Sequence, residues 1–240
     1  MPRNTQGPTL VNNVYGAVKD DICMGRLRPG QRLHLGEICK AQGVSLSVVR
    51  EAVTRLAAER LVKSRPQQGF SVWPLSVDDL VDLTRVRIEI ETLALRESIA
   101  KGDLAWESEV VAAHHRLEGT VRPPGTVTDE PNYAWMRAHS DFHAALASAC
   151  TSPLLKQLRQ QLFDAAELYR HWSVSLGASR SKREPSREHR QMMDASIAHD
   201  AELGVKLITE HIQRTTNHLL TAFQETGEPE DRPAERPGRS

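Results

Sequence analysis

"GVSLSVVREAVTRLAAERLV", residues 43–62, decides how the first third of this chain folds. Val49, Val53, Leu56 and Ala57 recur three or four apart, which places them on one face of an α-helix. Ser45 or Ser47 stands where an N-cap belongs. Just upstream, "LGEICKAQGV" (35–44) reads as a short helix ended by Gly43. Helix, glycine-containing turn, helix is the helix-turn-helix pattern. Further out, Val11, Val14, Val18 and Ile22 form the apolar stripe of another helix, which the Pro29-Gly30 turn follows. On the other side, "LVKSRPQQGFSVWPL" (61–75) predicts two short strands, 61–64 and 69–73, around a polar turn. A hairpin after a helix-turn-helix is a wing.

This segment has the chemistry to read DNA. Ser45 and Ser47 can donate to phosphates or base edges, and Arg50 projects from the first turns of the helix toward a major groove. Arg65, Gln67, Gln68 and Gly69 form the wing tip, within reach of phosphate or the minor groove. The competing reading is a solvated amphipathic helix whose arginines only keep it soluble. Charge favours DNA. The net charge of the chain is zero, yet residues 1–75 hold 11 Lys+Arg against 5 Asp+Glu, whereas residues 76–240 hold 20 against 26.

After Pro74 the character changes. Residues 76–225 predict helices near 77–100, 103–118, 130–149, 153–172, 185–199 and 201–225, with no convincing strand. Loops are expected at 121–132 and 177–186, a flexible arm at 1–10, and a disordered, Pro-rich tail at 226–240. The domains are therefore 11–75 for DNA and 76–225 for an all-helical bundle. At 39% hydrophobic and 26% charged, the 240 residues describe a globular chain. No apolar run approaches the roughly 20 residues of a membrane span. Cys23, Cys39 and Cys150 form no Cys-x-x-Cys pair, so a reducing, cytoplasmic setting is expected.

The second informative stretch is "AWMRAHSDFHAALASAC" (134–150). His139 and His143, four apart, share a helical face with apolar neighbours. His189 lies in line with Met193, and His211 in line with Leu203 and Leu207. Imidazoles on stripes that face a bundle core can build a metal site from different helices. A hydrogen-bonded core histidine is the simpler reading for any one of them. His34, His114, His115, His171, His199 and His218 lack this register and read as surface or local contacts.

"LRPGQRL", the 43–62 stretch and "QQGFSV" resemble the winged helix of the GntR family of bacterial regulators, over about residues 11–75. Leu46 stands where that family usually has a base-contacting Arg, and Gly36 where an Arg often reaches DNA. "VRIEIE" (86–91), "HSDFHAALASACTSPLL" (139–155) and "REHRQMMDASIAHDAELGVKLITEHI" (187–212) resemble the FadR-type FCD effector domain.

The resemblance implies a mainly α fold: a winged helix-turn-helix before a six- or seven-helix bundle. It also implies a homodimeric repressor on a palindromic operator. In that domain one Asp and three His hold a divalent metal. Carried over, the ligands are His139, His143, His189 and His211, with His139 in place of the Asp. Either all four ligate, or three do with water or effector completing the set. Zinc is expected, with nickel the alternative. Four neutral imidazoles leave the full +2 of the ion, which favours an anion. Arg87 is the expected partner of a small carboxylate effector. The wording of the chain looks most like members that control small dicarboxylate or related carbon catabolism.

Two other functions compete with this reading. A C-terminal bundle that only dimerises would show no ligand response. A metal-dependent hydrolase is disfavoured: there is no His-Glu-x-x-His, Gly-x-Ser-x-Gly or P-loop, and Asp141 lies off the histidine face.

Overall fold

A computed structural model describes residues 9–121, 132–175 and 185–226. The expected tail beyond residue 226, most of the arm and most of both loops lie outside these residues. The chain opens with α1 (Leu10–Cys23), whose N-cap Thr9 side chain accepts from the Asn12 amide. It buries Val14, Val18 and Ile22, three of the four residues of its expected stripe. Next come β1 (Arg32–Leu33), α2 (Leu35–Gln42) and α3 (Leu46–Ala58). Gly43 ends α2 with φ 63, a left-handed cap that suits glycine. Helix α3 buries Val49, Ala52, Val53 and Leu56. Ser45 occupies its N-cap, but the side chain caps nothing; its Oγ lies 2.9 Å from Ser47 Oγ.

The wing is β2 (Val62–Arg65) paired antiparallel with β3 (Gly69–Val72). Arg65 pairs with Gly69, and Gln67 (φ 62) and Gly69 (φ 85) make the turn. Strand β1 adds to the other edge of β3, giving the order β1-β3-β2. This third strand was not expected from the sequence, because two residues give no alternation to read.

Six helices follow, and no strand follows β3 among the described residues. They are α4 (Val77–Lys101), α5 (Leu104–Gly119), α6 (Tyr133–Leu146), α7 (Pro153–Ser175), α8 (Pro185–Ile197) and α9 (Ala201–Thr226). Side chains of Ser76, Asp103 and Asn132 cap α4, α5 and α6 by accepting from the amides of Asp79, Trp106 and Trp135. The bundle core gathers Leu95, Ile99, Val110, Phe142, Met192 and Ile208. Burying each such large side chain contributes roughly 1.5–3 kcal/mol.

Head and bundle are not separate beads. Leu80, Leu168, Tyr169 and Leu219 of the bundle sit in one buried cluster with Val14, Val18, Leu56 and Val72 of the head. Beside it, Lys19 of α1 lies 2.6 Å from Asp164 of α7 and 3.2 Å from Glu59, the C-cap of α3. Tyr15 donates to Glu59 at 2.7 Å. Arg137 of α6 reaches Asp20, and Arg26 lies over the Tyr133 ring.

Candidate nucleic-acid interface and candidate metal centre

At the head, Ser45, Leu46, Ser47 and Arg50 are exposed together on the first turns of α3. Leu46 is 49% exposed. Arg65, Gln67, Gln68 and Gly69 lie at the wing turn, with Arg65 half-buried and the rest exposed. Sequence reasoning missed a groove beside Arg50, lined also by Arg32 and Lys40. Arg32 ends the stretch "LRPGQRL" and Lys40 lies on α2; the third strand and α2 bring them beside Arg50.

The four histidines come from three helices: His139 and His143 from α6, His189 from α8 and His211 from α9. All are buried, and one ligand atom from each lies within 4.8 Å of the others. A zinc tetrahedron with Zn–N of about 2.0–2.1 Å has edges of roughly 3.4 Å, so the set closes on an ion with shifts of about an ångström. Neither ring nitrogen of His143 has a hydrogen-bond partner, which a core histidine would normally find. His211 lies 2.9 Å from Glu188 through Nδ1, which leaves Nε2 as its ligand atom. Burial, reinforced by Arg170, holds the His139 pKa well below the usual range; burial and then His211 do the same for His143. Both rings are therefore neutral, as ligation requires. The residues fit a divalent metal.

The stripe on α9 differs from expectation. Leu203 is 43% exposed, and the buried line runs Gly204, Ile208, His211. His114 is buried too, edge-on to Phe142, although the sequence placed it with the surface or local histidines.

Arg87 lies in the wall of a cavity of about 270 Å³ that also touches His139, His189 and His211. Its guanidinium sits over the Phe163 ring, with Nε 3.4 Å from Glu91. Glu91 also accepts from Arg159 at 2.9 Å, so Arg87 is held in place and partly neutralised. Helix α7 supplies what sequence reasoning did not assign. Phe163 packs on His139 and His143, and Glu167 lies 4.0 Å from His139 and accepts from Arg170. Trp135, one turn before His139, stacks on that ring at 4.8 Å.

The comparisons with known proteins fall on both halves. Residues 10–72 match the model of the bacterial regulatory proteins of the gntR family, and residues 82–214 match the FCD domain. The chain is 36% identical over 209 residues to the HTH-type transcriptional regulator BphR of Paraburkholderia xenovorans (strain LB400), covering 85% of this chain and 83% of that protein. It is 30% identical to the HTH-type transcriptional repressor GlaR of Escherichia coli (strain K12), covering 82% and 90%. The structure of E. coli McbR/YncC shares the fold, with TM-score 0.75, 21% identity, and coverage of 90% of this chain and 99% of that one. The proteins it resembles are transcription regulators, not enzymes.

Proposed function

For a chain that belongs to the GntR family of bacterial regulatory proteins, with an FCD domain behind its DNA-binding head, we propose a metal-dependent, metabolite-responsive repressor. The observation that carries this reading is the cluster of four buried histidines, three of which line a cavity that Leu80 and Leu219 connect to the core of the head. His139, His143, His189 and His211 are the ligands, for zinc or, second, nickel. When bound, the ion supplies a positive centre that attracts a carboxylate. Arg87, fixed by Glu91 and Phe163, offers the carboxylate hydrogen-bond donors in a buried setting where charge-assisted bonds are strong. The functional units are 11–75 and 76–225.

On the DNA side, Arg50 with Ser45, Leu46 and Ser47 reads base edges, and Arg65, Gln67, Gln68 and Gly69 contact the backbone or the minor groove. A DNA site selected by the protein from a random pool tests this. Arg50→Ala is expected to weaken binding to that site by ~1–3 kcal/mol at fixed salt. Unchanged affinity would put the recognition surface elsewhere.

A palindromic operator needs two heads. Val86 and Ile90 of α4 and Leu158 of α7 line one crevice, with Leu93 exposed a turn further on. This apolar face supports self-association as a dimer. Leu93→Glu with Leu158→Glu is expected to give monomers in sedimentation velocity and to weaken operator binding at least tenfold. Dimers that persist in the double variant would move the interface to another face.

A further inference from the structure

The cavity beside the histidines is chemically lopsided. Arg87, His139, His189 and His211 lie toward one end, together with Arg170 and the Glu167 carboxylate that it binds. Along α4 and α9 the lining then runs past Leu83 to Leu80 and Leu219, seven and eight residues from Arg87 and His211, at the other end. Thr84 and Thr216 also face it, but their hydroxyls lie 2.8 Å from each other and Thr84 donates to the Leu80 carbonyl. Both hydroxyl protons are thus committed within the protein. Among the described residues that line this end, His218 is the one ionisable side chain. A second carboxylate reaching there would leave water for an end with no Lys or Arg in its described lining, which is strongly unfavourable. The volume, about 270 Å³, suits an acid of roughly six to eleven non-hydrogen atoms.

The same end touches the DNA-binding head. Leu80 and Leu219 are buried to 1% and 3% exposure and belong to the cluster that includes Val14, Val18, Leu56 and Val72. Packed side chains pass a displacement on to their neighbours because interiors leave little free volume.

We infer that the effector is a monocarboxylate with an apolar body, aliphatic or aromatic, and that this body, pressing on Leu80 and Leu219, is what the head senses. The inference rests on the reading above that a carboxylate sits at the histidine and Arg87 end. Each buried methylene tightens binding about fourfold. An acid that stops short of the leucine wall binds but leaves the head undisturbed. This separates the ligand from small dicarboxylates, the class that the wording of the sequence resembles.

The test is calorimetry on the full-length, zinc-saturated protein with acetate, succinate, hexanoate and 3-phenylpropionate. Anisotropy of the selected DNA site is followed in parallel. Hexanoate and phenylpropionate are expected to bind at least tenfold tighter than acetate or succinate, and they alone should release DNA. Leu83→Phe, which fills the apolar wall, should weaken hexanoate at least tenfold and leave acetate and zinc stabilisation unchanged. Preference for succinate over hexanoate, or full DNA release by acetate, overturns the inference but leaves the carboxylate reading intact. Binding by none of the four overturns both.

Discussion

Replacing His143 by alanine is expected to strip stoichiometric zinc from the protein and remove most of the stabilisation zinc provides. A ligand that binds only the folded state stabilises by RT ln(1 + [L]/Kd), ~4.1 kcal/mol at a thousandfold excess over Kd. For a domain of this size that is a midpoint shift of roughly 8–16 °C. The metal-free comparison isolates the ligand role. Without zinc, His143 is a buried ring whose two nitrogens have no hydrogen-bond partner, so its removal leaves no partner group stranded. Metal-free wild type and variant should therefore unfold within about 1–2 kcal/mol of each other, and zinc should separate them widely. Failure of zinc to shift the wild-type midpoint would sink the metal centre.

The same site sets a pH dependence. The folded-state pKa values of His139 and His143 lie well below the ordinary value, near 6.5 in unfolded chains. Below about pH 6.5 the unfolded chain therefore binds protons that the folded chain refuses. Stability falls as pH drops from there toward the folded-state pKa values. Protons also compete with the metal for the imidazoles, so the loss should be steeper with zinc than without. Urea unfolding at pH 7.5 and 5.5, with and without zinc, measures both slopes.

How far the sequence reached can be traced residue by residue. The head was legible because Val49, Val53 and Leu56 repeat with helical period and Gly43 marks the turn. Strand β1 was not, since its pairing partner Ser71 lies 39 positions from Arg32 and local pattern carries no such information. The four histidines were legible one by one, as polar residues on apolar stripes. That α6, α8 and α9 bring them to one point is tertiary, and only the family resemblance supplied it. His114 shows the limit: it is buried against Phe142, while its neighbour His115 is exposed, and no spacing distinguished the pair. The roles of Phe163, Glu167 and Arg170 stayed unread because nothing local to α7 tells which helices it packs on.

Neutralising Asp164 is expected to disconnect the two ends of the molecule, and α7 is where that connection is built. On one side of this helix, Phe163 touches His139 and His143 and lies under the Arg87 and Arg159 guanidiniums. The next residue, Asp164, faces the head. Gln160, one turn back, donates to it at 2.8 Å, and Lys19 reaches it at 2.6 Å. Lys19 also binds Glu59 at the end of α3. A shift of Phe163 on ligand binding therefore moves Asp164 against Lys19, and Lys19 against α3. The pair is mostly shielded, with side chains 21% and 8% exposed, so the Coulomb term is only partly screened. Removing one partner of a well-buried pair costs about 3–5 kcal/mol; solvent access to Lys19 reduces the expectation to ~2 kcal/mol for Asp164→Asn. Lys19→Met and the double variant complete a cycle that should show ~1–3 kcal/mol of coupling in urea unfolding. Coupling between sites is an equal free energy read from either end. Asp164→Asn should therefore bind hexanoate and zinc, bind the selected DNA, and lose about tenfold of the effect that one has on the other. Additive single variants with an undiminished response would place the signal in the leucine wall alone.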